Sequence, residues 1–167
     1  MTIKIAIEKV EKHPEFLKWK EKNKDSFLSY VFTVLEENAQ SDWQIGYYNK
    51  DNDKITTFAF KDNNITIMPD EEVFKKEDTK IVELNIEKVN ISLDKALNYA
   101  DEFQKKEFPN EESVKIIVIL QNIPELNTIW NITYITKSFN VLNMKIDADN
   151  GKIVKHHISS MMDFRKE

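Results

Sequence analysis

The sequence predicts an α+β protein built from two tandem repeats, each a helix packed on an antiparallel β-meander sheet of about four strands. Three observations carry this expectation. Apolar residues recur at helical spacing twice, near the start of the chain and again after Ile91. Each helical stretch is followed by a β-branched and aromatic run, then by shorter strands broken at Asn/Asp clusters. The second series repeats the order of the first, which places repeat 1 at 1–80 and repeat 2 at 81–167.

In the first helix Ile3, Ala6, Ile7 and Val10 share one face, with Thr2 as N-cap. His13-Pro14 interrupts it, because proline disfavours helix at the residue before it; Phe16, Leu17 and Trp19 then resume the pattern. A broken helix from about Thr2 to Asn23 is the result. "FLSYVFTVLEE", from Phe27, reads as a largely buried strand, and "WQIGYYNKDNDKITTFAFKDNNITIMP" as three strands joined at "NKDND" and "KDNN". Asn and Asp tolerate positive φ and form local turns, so these joints are hairpins. "DEEVFKKEDTK" is a charged connector and "IVELNIEKV", Ile81 to Val89, an extended segment.

Ser92 caps the second helix, Asp94 lies in its first turn, and Leu93, Ala96, Leu97 and Ala100 carry its apolar face towards Lys106. "VKIIVILQ" is a buried strand; after a loop with Pro124, "IWNITYITK", "VLNMKIDAD" and "KIVKHHISSM" are three more. Set against the first half, Trp43 falls on Trp130, Ile45 on Ile132, Tyr47 on Tyr134 and the turn at Asp62 on the turn at Asp149, all at one offset. Ala6 and Ala96 correspond near the helix starts.

Composition narrows the function. The net charge is −5, with Lys and Arg dispersed among Asp and Glu, so no basic stripe exists for a phosphate backbone and nucleic acid is not an expected partner. No apolar run approaches the ~20 residues of a membrane span, and the N-terminal stretch is broken by charges. The chain is expected to be soluble: cytoplasmic as it stands, envelope-associated or secreted if a leader has been removed. Cysteine is absent, which removes thiol chemistry and cysteine-ligated zinc. Only Gly46 and Gly151 occur, too few for a phosphate-cradling loop or a nucleophile elbow.

"MKIDADNGKIVKHH" invites a metal reading, and spacing argues against it. A calcium loop that starts at Asp147 would need glycine at its sixth position and glutamate at its twelfth; here Gly151 is fifth and Ile158 twelfth. His156 and His157 are adjacent in a strand and so point to opposite faces, where they cannot share one ion. Asn150-Gly151 between alternating apolar strands is a hairpin signal.

"ISLDKALNYADEF", "IWNITYI" and "MKIDADNGKIV" together resemble the PepSY domain, through Ala96, Trp130, Ile146, Asp147, Gly151 and Ile153. The first half resembles a diverged copy, with Asn64 at the hairpin-glycine position and Phe60 at the aspartate position. The resemblance implies a non-enzymatic binding or regulatory module that recognises a protein or peptide and modulates a peptidase. It transfers no catalytic residue, cofactor or metal. The alternative is a small-molecule module with an apolar pocket between helix and sheet. Trp43 and Trp130, each leading a strand, and Tyr48 and Tyr134 are the candidate binding or groove-lining residues. Of the pair Tyr47-Tyr48, one is expected in the core and the other, Tyr48, in solvent.

Overall fold

The protein is described by a computed structural model covering residues 1–72 and 80–165. Its first helices follow the local signals. Helix α1 (Ile3–Glu11) is capped by Thr2, whose hydroxyl accepts from the Ile5 N–H, and it buries Ala6, Ile7 and Val10. The break falls at His13, the N-cap of α2 (Pro14–Lys22), where proline sits without cost because a first-turn N–H has no intrahelical partner. Phe16 and Trp19 of α2 pack edge-on against Phe58, at 5.1 Å each between ring centroids.

The strands are β1 (Phe27–Glu36), β2 (Ala39–Gln40), β3 (Gln44–Asn49), β4 (Lys54–Lys61), β5 (Asn64–Ile67) and β6 (Glu71–Glu72). After the next helix, α3 (Leu93–Glu107), come β7 (Ser113–Ile123), β8 (Asn127–Thr136), β9 (Asn140–Asp147) and β10 (Ile153–Ser160). Two tandem helix-plus-sheet repeats are not what these strands form. They make one continuous antiparallel sheet in the order β10-β9-β8-β7-β1-β3-β4-β5, with β2 on the end of β1 and β6 on β4.

The physical reason lies at β1 and β7. Each would be the edge of a separate meander, with a row of unpaired backbone groups. Instead they pair with each other from Tyr30↔Gln121 to Glu36↔Lys115. The core follows the same continuity: Ile146, Trp130, Leu120, Val31, Ile45 and Phe58 are successive cross-strand neighbours, and none has exposed surface. One hydrophobic core therefore runs under all three helices. On the opposite face Phe32, Val34, Ile117 and Ile119 are half-buried along the β1–β7 seam, and among the described residues no helix covers them.

Two local features fix geometry near the sites. Tyr30 lies across Gly46 on that open face, and its hydroxyl bonds Thr57 at 2.8 Å. The β9–β10 hairpin turns through Gly151 at φ 79, while the Asp147 carboxylate accepts the N–H of Asp149 at 2.8 Å and of Asn150 at 3.2 Å. That carboxylate is a turn brace. The segment expected to be extended at Ile81 to Val89 is instead one bridge, Val82 to Asn122, followed by a 3-10 turn, Ile86–Lys88. Its cause is Asn85, whose side chain accepts the Glu87 N–H at 3.0 Å and starts the turn. Most of the charged connector lies outside the described residues.

Candidate binding groove

Trp43, just before β3, and Trp130, inside β8 rather than at its start, each hold a helix start. The Trp43 indole N–H donates to the carbonyl of Met1 at 3.1 Å, and that of Trp130 to the carbonyl of Ile91 at 2.8 Å. Met1 and Ile91 each precede an N-cap, Thr2 and Ser92. The backbone of Asn90 and Ile91 is held from below as well, since both N–H groups donate to the carbonyl of Ala148 at 2.9 and 2.8 Å. The start of α3 is thus tied to both β8 and the β9–β10 turn.

These two helix starts border one groove of about 520 Å³, floored by Trp43 and Trp130 and walled by Ile3, Lys4, Gln40, Val89, Asn90, Ile91, Leu93 and Asp94. Trp43 is 6% and Trp130 0% exposed, and both indole N–H groups are engaged. The rings are a buried floor rather than faces on which a ligand stacks. Beside apolar side chains the walls offer backbone donors: the Ser92 hydroxyl takes the Lys95 N–H, leaving the N–H groups of Leu93 and Asp94 among those a helix cannot satisfy internally. The same holds for Ile3 and Lys4 beside Thr2. A Lys4–Glu87 ion pair at 3.7 Å is exposed on both sides, so it contributes little to stability.

Of the four candidate residues, then, Trp43 and Trp130 meet in one groove and the two tyrosines lie elsewhere. Tyr134 is 2% exposed on the helix-covered face, and burial, with the nearby charge of Asp101, raises its hydroxyl pKa. Tyr48 does not face solvent: it is 7% exposed, with Phe27 5.4 Å away between centroids and its hydroxyl on Asp53. Alternation puts Tyr47 and Tyr48 on opposite faces, but on the open face Tyr48 is covered locally by Phe27 and the Asp53 turn. Tyr47 donates to the Glu11 carboxylate at 2.9 Å. Lys4, Gln40 and Asn90 join the groove without any sequence signal, because only the joining of both sets of strands in one sheet under the helix starts brings them together.

His156 packs against Phe103 and Phe108, 5.0 and 6.0 Å between centroids, and its neighbour His157 points to the other face. Among the described residues no three of His, Cys, Asp and Glu gather so as to hold a metal ion. No helix among them is long and apolar enough to cross a membrane.

No family model matches the chain, and no curated protein matches it either. In fold it is similar to the crystal structure of a "putative lipoprotein" from Clostridium difficile 630. The TM-score is 0.54 at 17% identity, over 87% of this chain and 90% of that one. At that identity the likeness is one of fold.

Proposed function

We propose that the chain is a non-enzymatic binding module of PepSY-like type, recognising a protein or peptide at the cell envelope and modulating a peptidase there. The observation that carries this reading is the groove between the starts of α1 and α3. It combines an apolar floor with unsatisfied backbone donors, which suits a short peptide segment with a polar or anionic group at one end. The name of the fold neighbour, a lipoprotein, supports an envelope location.

Gln40 lines the groove yet is exposed, so Gln40→Trp fills the groove without disturbing the core. Full-length chain and this variant, each immobilised, are to be compared for capture of partners from an envelope extract. A partner lost specifically from the variant, and a change in that partner's peptide hydrolysis on adding the wild-type chain, are the expected results. An identical partner profile for the two proteins would sink the reading.

The groove volume also lies within the range of small-molecule sites, ~300–1,000 Å³. On that second reading a ligand panel raises the unfolding temperature of the wild type and leaves Gln40→Trp unmoved.

A further inference from the structure

Strand β10 ends the sheet, and among the described residues no strand pairs with its outer side. The Met161 N–H donates to the carbonyl of Phe139 at 2.8 Å, continuing the ladder with β9. Bonding direction alternates along an antiparallel strand, so the backbone groups of Ser159, His157 and Lys155 face β9 and those of Ser160, Ile158 and His156 face outward. Three consecutive outward residues form a docking edge for an extended chain.

The two sides of that edge differ chemically. On the α3 side lie Ile158 and His156, the latter against Phe103 and Phe108. On the open face lie Lys155 and His157, with Lys145 directly across from Lys155. Among the described residues no carboxylate pairs with Lys145 or Lys155, and the Lys145 ammonium donates to the Asn143 side-chain oxygen at 2.6 Å. The lysines repel each other: burial and the Lys155 charge both push the Lys145 pKa down. In a chain of net charge −5 this is a local excess of positive charge beside an open strand edge.

We propose that β10 is a docking edge for an extended segment of another protein with alternating apolar and acidic residues. Its backbone pairs with His156, Ile158 and Ser160, its apolar side chains lie towards Phe103 and Phe108, and its carboxylates lie beside Lys155 and Lys145. A second copy of this chain fits less well. Antiparallel self-pairing of β10 centred on His156 would set Lys155 of each copy against His157 of the other, and lysine on an edge strand opposes such pairing. The proposal goes beyond the binding role given above, since it names a partner's chemistry for a surface separate from the groove.

The test uses the full chain and a fluorescent octapeptide of alternating valine and glutamate, with a valine–lysine octapeptide as its counterpart, followed by polarisation at low salt. The acidic peptide is expected to bind about tenfold tighter or better, to shift the amide resonances of His156, Ile158 and Ser160, and to slow their exchange. Lys155→Glu is expected to reverse the preference. Ile158→Pro removes one outward N–H at a position where an edge strand tolerates proline, and is expected to abolish binding. An acidic octapeptide N-methylated on the amides that would face β10 makes the same test without altering the protein, and is expected not to bind. Equal binding of the two peptides, no binding, shifts mapping elsewhere, or dimerisation of the free chain through β10 would each overturn the proposal. Gln40→Trp is expected to bind the octapeptide unchanged; loss in that variant would assign the peptide to the groove instead. Failure of the groove reading therefore leaves this result intact.

Discussion

A Cβ added to Gly46 would sit 2.2 Å from the Tyr30 ring, nearer than any side chain can approach. Gly46→Ala must push that ring off its neighbour and strain its bond to Thr57, and it is expected to lower stability by ~1–3 kcal/mol in a denaturant titration. An unchanged midpoint would show that Tyr30 has room to move. A second prediction concerns protons. Burial raises the hydroxyl pKa of Tyr30, Tyr47 and Tyr134, and Glu11 beside Tyr47 adds to it. The folded chain holds these protons more tightly than the unfolded chain, whose tyrosines titrate near ~10. This stabilisation is therefore complete below about pH 10 and is lost as pH rises beyond it. Tyrosinate absorbance from these three is expected to emerge only together with loss of the near-ultraviolet dichroism. At this scale the sequence was readable wherever the cause is local. Asn150-Gly151 announces its turn, whereas nothing near Gly46 announces Tyr30, which reaches it from another strand.

Helix α3 owes its first turn to two contacts of different range. Ser92→Ala removes the hydroxyl that accepts the Lys95 N–H and is expected to cost ~1 kcal/mol. Trp130→Phe keeps an aromatic ring in the core but leaves the Ile91 carbonyl without its buried indole partner, at ~1–3 kcal/mol. Amide exchange separates the two: both variants are expected to accelerate exchange in the first turns of α3, while the second also loosens β8. If Trp130→Phe leaves α3 protected, the indole bond is not what holds the helix. Most elements were readable because caps, proline and apolar spacing are short-range signals. Ile81 to Val89 was not, because its alternation of apolar and polar residues suits a strand while the Asn85 side chain offers the backbone a competing turn.

At the scale of the whole molecule the seam between β1 and β7 decides behaviour. Either half alone would expose a long apolar strand edge, Val31 to Leu35 or Ile116 to Leu120. Fragments 1–80 and 81–167 are expected to aggregate or self-pair when expressed singly and to co-purify when expressed together, and the intact chain to unfold in one transition by calorimetry. Two separate transitions would mean that the halves are energetically independent. The seam was hidden in the sequence because its partners are far apart and carry no local mark. The trace that could have revealed it is that "FLSYVFTVL" and "IIVILQ" run without a charge or a proline, the devices that blunt a strand left at an edge.

That seam also sets a schedule for synthesis. Tyr30 cannot meet Gln121 until roughly 90 further residues have been made, which takes about 5–18 s at ~5–20 residues per second. Throughout that interval the outer side of β1 leaves the ribosome without its partner. The nascent chain therefore offers chaperones, or a neighbouring nascent copy on the same message, an apolar strand that the finished protein keeps at its centre.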